Sequence, residues 1–165
     1  MRLSWIELLI KGIPEGFLDI LAMYILTKAK FNKKKYLSIS LIFIVLTYFV
    51  RMLPINYGVN AMISILVFML LFVLFCDVEF PLAIKSAITV MIFLFVSEGF
   101  NALLLIALYG RDQTQALFDS PLAKSIYGIP STLFFALFIL ITYLVLSRLN
   151  KIRKDTDGEA GKENR

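Results

Sequence analysis

The chain contains no histidine and only one cysteine, Cys76, among its 165 residues. Without imidazole there is no Ser-His or Cys-His nucleophile, no histidine metal ligand and no phosphohistidine relay, and one thiol excludes a disulfide within the chain. Charge is sparse as well: 18% of residues are Asp, Glu, Lys or Arg, where a soluble domain averages about 25%. H-E-x-x-H, G-x-S-x-G, G-x-x-x-x-G-K-[ST], C-x-x-C and paired acidic metal motifs are all missing. Glu15 and Asp19 could in principle act as an acid/base couple, but nothing in the chain supplies them with a recognisable nucleophile or metal partner. The expectation is a protein that is not an enzyme and needs no cofactor. What is abundant is apolar surface, with 59% hydrophobic residues and a mean hydropathy of +0.82. This composition is that of an integral membrane protein, all-α, with one domain.

Five stretches approach the length of about 17–25 residues that a helix needs to cross about 30 Å of hydrocarbon. They cover about residues 5–27, 36–53, 59–76, 82–108 and 129–147. The breaks between them carry turn chemistry: Asn32 beside a lysine run, Pro54 to Gly58, Asp77 to Pro81, and a polar stretch over residues 109–124 that alone has room for structure of its own. Residues 1–148 are therefore expected to form a helical membrane bundle. Residues 149–165 are expected to be a cytoplasmic tail, basic at its start and then polar and disordered. Glu7 and Lys11 interrupt the first apolar stretch and no small-x-small site follows, so the amino end does not read as a cleaved signal peptide.

Short loops rich in Lys and Arg stay in the cytoplasm. With five spans, Lys28, Lys30, Lys33, Lys34 and Lys35 fall on one side together with Lys85, Arg148, Lys151, Arg153 and Lys154. The opposite side keeps Arg2, Lys11, Arg51, Arg111 and Lys124. The expected orientation is N-terminus outside and C-terminus inside, with Trp5, Tyr57, Tyr109 and Tyr127 near outer ends. The formal net charge of +5 then reads as topology signal and attraction to anionic membrane lipids, and not as nucleic-acid binding.

Charged side chains at bilayer depth cost about 2.5–3.5 kcal/mol each on insertion scales, so they face the bundle interior or water. Glu7, Lys11, Glu15 and Asp19 are spaced four apart, and each step of four turns a helix by about 40°. They form a slowly winding polar stripe on the first segment. Alternatively, residues 3–11 form an amphipathic segment on the outer surface, with Pro14 opening a short span. Further along the chain, Glu98 and Asn101 share a face at i, i+3, and Arg51 lies near the outer end of the second span. Glu15, Asp19, Arg51, Glu98 and Asn101 are thus the candidate ligand-binding residues, with Arg51 or Lys11 as counter-charge. Structural ion pairing is the competing reading. Gly12 and Gly16, with Pro14 between them, mark either a close helix approach or a kink.

Three segments carry a family resemblance: Arg51-Met52-Leu53-Pro54-Ile55-Asn56-Tyr57-Gly58-Val59-Asn60, Ala83-Ile84-Lys85-Ser86-Ala87-Ile88 and Tyr127-Gly128-Ile129-Pro130-Ser131. Over about residues 10–148 the chain resembles the multi-pass sensor modules that precede GHKL-type, quorum-sensing class histidine kinases of clostridia and related bacteria. No phosphoacceptor histidine, dimerisation helix or ATP domain follows Lys154, so kinase activity does not carry over. The resemblance implies a sensor or regulatory module of the bacterial cytoplasmic membrane. It would meet a peptide or small-molecule ligand through its outer half and a signalling partner such as a kinase. The alternative is a membrane-embedded substrate-binding subunit of a small-solute transporter.

Overall fold

Backbone in hydrocarbon must satisfy its own hydrogen bonds, which leaves helices and closed barrels as spanning structures. The computed structural model describes residues 8–53, 57–119 and 121–163, and among them there is helix but no strand. A π-helical turn, Leu8–Gly12, leads into α1 (Ile13–Thr27). It is followed by α2 (Lys33–Met52), α3 (Tyr57–Cys76), α4 (Phe80–Tyr109), two short helices α5 (Arg111–Asp119) and α6 (Pro121–Tyr127), and α7 (Ile129–Glu163).

The boundaries follow from identifiable residues. Lys28 ends α1 in the left-handed conformation at φ 52°. Asn32 caps α2 by accepting from the backbone N–H groups of Lys34 and Lys35 at 3.0 and 3.4 Å, which satisfies two of the orphan donors of a first turn. Leu53, the residue before Pro54, is extended at φ −69°, ψ 144°, as steric conflict with a proline ring requires. Asp77, at φ 53°, ends α3; Pro81 lies in the first turn of α4, and Gly110, at φ 78°, caps its far end.

Four segments have the length and apolarity to cross a membrane: Lys33–Met52, Val59–Cys76, Phe80–Tyr109 and Ser125–Leu149. The first expected span differs from these. α1 has 15 residues, about 22 Å at 1.5 Å per residue, short of the hydrocarbon thickness. Pro14 explains the interruption: it offers no N–H and its ring conflicts with the carbonyl four residues back, and the preceding turn is wound as π instead of α. Residues 1–7, with Trp5 and Glu7, lie outside the described residues, as do the side chains of Tyr57 and Lys124. The polar stretch after α4 does hold its own structure, as α5 and α6. At the other end, α7 continues as helix to Glu163, through the part of the tail whose composition predicts disorder. No proline follows Pro130, so no ring conflict breaks the helix at Ser147 or in the tail.

α1, a short helix that carries two carboxylates, is enclosed by its neighbours. α1 packs against α2, α4 and α7 and also touches α3. Ile20 and Met23 on it are fully buried, while Leu41, Leu66, Leu103 and Leu137 on the surrounding helices point outward to positions lipid would occupy. Gly16 permits this central placement, since a Cβ there would sit 2.5 Å from Ile44 Cγ1 of α2. Aromatic contacts fill the rest of the interior, with Phe43 stacked on Phe68 at 4.2 Å and Tyr24 edge-on to Phe72 at 5.0 Å between ring centroids. The Lys35 ammonium donates to the Phe75 carbonyl at 3.1 Å. This contact ties the start of α2 to the end of α3, where cations are favoured by the helix dipole. The bundle thus has a lysine-rich end, and an opposite end where the π turn, Arg51 and α6 meet.

Candidate functional site

The charged stripe predicted on the first segment turns inward. Glu15 and Asp19, one turn apart on α1, are 3% and 5% exposed. An ionised carboxylate at such depth calls for a partner, and cations from two elements reach Glu15. The Lys11 ammonium, on the π turn, donates to Glu98 Oε1 of α4 at 2.9 Å and lies 3.8 Å from Glu15 Oε2. Arg51 Nη2, in the last turn of α2, approaches Glu15 Oε1 at 3.8 Å. Arg51, Glu15, Lys11 and Glu98 therefore form a chain of alternating charge that ties α2 to the first segment and the first segment to α4. The expectation that Lys11 or Arg51 neutralises Glu15 is met by both, and Lys11 alone reaches Glu98. Glu7, the first member of the stripe, lies outside the described residues.

Asp19 sits one turn deeper, with Glu15, Arg51 and Glu98 as its electrostatic neighbours. It borders two small voids of about 20 and 40 Å³. Arg51, Phe43 and Thr47 line both. Glu15 and Tyr48 complete the first, and Asn60 and Ser64 of α3 join the second. Asp19 Oδ1, Thr47 Oγ1 and Asn60 Oδ1 are buried oxygens with no hydrogen-bond partner among the described residues, and all three belong to residues lining the larger void. A polar void of this size fits one or two water molecules. It is an order of magnitude below the roughly 300–1,000 Å³ of sites for small organic ligands. The cluster counts two cations, Lys11 and Arg51, against three carboxylates, Glu15, Asp19 and Glu98, so it has an excess of one negative charge if all ionise.

Asn101 belongs to a different contact. It is 4% exposed, and its amide Nδ2 donates to the Tyr127 carbonyl at 2.9 Å, fastening the end of α6 to α4. The five predicted site residues therefore divide: Glu15, Asp19, Arg51 and Glu98 come together, and Asn101 latches a short helix. Thr47, Asn60 and Ser64 were not among the predicted residues. Their signal was present, since Thr47 precedes Arg51 by one turn of α2 and Asn60 is a lone amide in the most apolar span. Among the described residues no group of three or more His, Cys, Asp or Glu is placed to hold a metal ion. Compared with protein-family models, curated proteins and solved structures, the chain matches none.

Proposed function

We propose that the chain is a non-enzymatic regulatory or sensor module of a membrane signalling system. The observation that carries this reading is the charge relay Arg51–Glu15–Lys11–Glu98, which holds three elements together at the end opposite the lysine loop. The relay is dense with charge, yet the voids beside it have no room for a metabolite. A role in controlling how helices pack fits it better than a role as a preformed solute pocket. A peptide or small-molecule ligand, or the outer part of a partner, would act by competing for Arg51 or Glu98, the two more accessible members at 32% and 33% side-chain exposure. α7 packs on both α1 and α4 and runs without a break to Glu163. It is suited to pass a change in their packing to a partner beyond the lysine-rich end, with a histidine kinase as the expected partner class.

The test is purification from native membranes with cross-linking, followed by reconstitution with the identified partner. A signalling kinase whose phosphorylation state responds to the chain, and no longer responds with Glu15→Gln or Glu98→Gln, is the expected result. Recovery with the ATPase components of an uptake system, and a wild-type response from both variants, would replace this reading with the transport one.

A further inference from the structure

A large concavity among the described residues lies away from the charge relay. It is a groove of about 740 Å³ between α1 and α7 at the lysine-rich end. Leu18, Ile25, Ala136 and Ile139 are among its walls, and Lys28, Tyr143 and Ser147 also line it. Between Ala136 and Ser147 it follows α7 for eleven residues, about 16 Å. This is the shape and chemistry of a slot for a hydrocarbon chain lying along two helices.

The charges around the end of the slot choose among hydrocarbon chains. Lys28, Lys30, Lys33, Lys34, Lys35, Arg148 and Lys151 are all exposed at that end, against two exposed acids, Asp77 and Glu79 on the α3–α4 connection, among the described side chains there. A groove in the membrane-facing surface of a bundle fills with acyl chain of any lipid. A basic rim adds an attraction that only a lipid with a net negative headgroup answers, and basic pockets between membrane helices bind such headgroups. We propose that this groove is a binding site for an anionic phospholipid, with one acyl chain along α1 and α7 and the phosphate held by Lys28 and the neighbouring cations. Bound there, the lipid bridges the helix that carries Glu15 and Asp19 and the helix that leaves the bundle. The proposal does not depend on the signalling reading.

The experiment uses the full chain in nanodiscs made of equal parts phosphatidylglycerol and phosphatidylcholine, with the lipids retained after release counted by native mass spectrometry. Wild-type protein is expected to retain phosphatidylglycerol over phosphatidylcholine by at least tenfold. Lys28→Gln should cut that preference about fivefold, the effect of one cation near an anionic surface, without lowering the number of lipids held. Ala136→Phe fills the wall of the groove and should lower retention of both lipids. Ser147→Phe, at an exposed position that leaves folding unaffected, should do the same and carries the test if the first variant does not fold. Equal retention of the two lipids by wild type would overturn the proposal. So would a preference unmoved by both fillers, because the attraction would then belong to the lysine loop as a whole. A dimer that Ser147→Phe dissociates would assign the groove to a second copy of the chain and overturn it too.

Discussion

Replacing Lys11 by methionine keeps most of the side chain's length and removes its charge, and the charge relay makes the consequence calculable. With two cations and three carboxylates in the cluster, Lys11→Met leaves Arg51 alone against three acids. Glu15→Gln instead leaves two cations and two acids. Stranding a buried charge costs about 3–5 kcal/mol. Lys11 and Glu98 keep 19% and 33% of their side-chain surface exposed, and screening discounts that figure to about 2–4 kcal/mol. Glu15→Gln loses two contacts of 3.8 Å but relieves the repulsion with Asp19, so its net cost is about 0–1.5 kcal/mol. For a chain of this length, about 2–4 °C of melting temperature accompanies each kcal/mol. Thermal unfolding in detergent, followed by size-exclusion chromatography of the soluble fraction, should therefore show Lys11→Met lower by about 5–15 °C and Glu15→Gln lower by no more than about 5 °C. The reasoning is refuted if the glutamine variant is the less stable of the two, since the sign of the charge imbalance would then be wrong.

Further outcomes are expected from the same structure. Gly16→Ala should lower stability by about 1–3 kcal/mol through its conflict with Ile44, and adding Ile44→Ala should recover part of the loss; destabilisation that is additive in the melting temperatures would mean the two helices do not meet there. Asn101→Leu breaks the bond to the Tyr127 carbonyl and should cost about 1–2 kcal/mol while speeding proteolysis in α5 and α6, with unchanged cleavage arguing against the latch. For topology, a reporter fused after Lys154 should read cytoplasmic and a cysteine at exposed Gln113 should react with an impermeant thiol reagent on intact cells, the reverse pattern inverting the orientation. Changing the five lysines of residues 28–35 to glutamine should give mixed or inverted insertion, and normal insertion would leave Arg148 and Lys151 with their neighbours as the orienting signal.

The apolar runs were legible because hydrocarbon thickness and turn residues constrain them on every side. α2, α3 and α4 begin and end within three residues of the expected limits, and most of the boundaries have a cause in Asn32, Pro54, Asp77, Pro81 or Gly110. The first segment was harder to read, since its length on paper depends on whether the chain passes Pro14 as one helix. It does not do so as α-helix, and 15 residues of α1 become a short central post. Periodicity placed Glu15 and Asp19 on an inward face, and matching depths brought Glu98 and Arg51 toward them. It could not tell which cation serves which acid, because that depends on side-chain reach across helices with no register written in the sequence. Asn101 shows the same limit, since i, i+3 spacing puts it on the Glu98 face while a contact with Tyr127, in a short helix the sequence leaves open, decides its role. Thr47 and Asn60 were passed over because single polar residues in an apolar span are common, and only three-dimensional neighbours give them meaning. In the tail, composition weighs against folding, while α7 runs on to Glu163 with no proline after Pro130 to break it.

The central claim is that Lys11 and Glu98 pair across 87 positions of sequence, locking the first segment to α4. A double-mutant cycle read by thermal unfolding tests it most directly, using Lys11→Glu, Glu98→Lys and the two together. Each single variant places like charges at a 2.9 Å contact and should destabilise the protein, while the swapped pair restores the attraction. Pairs in contact show interaction energies of about 0.5–3 kcal/mol, so the double variant should melt well above the sum of the single losses. Strictly additive losses would contradict the pairing and with it the relay.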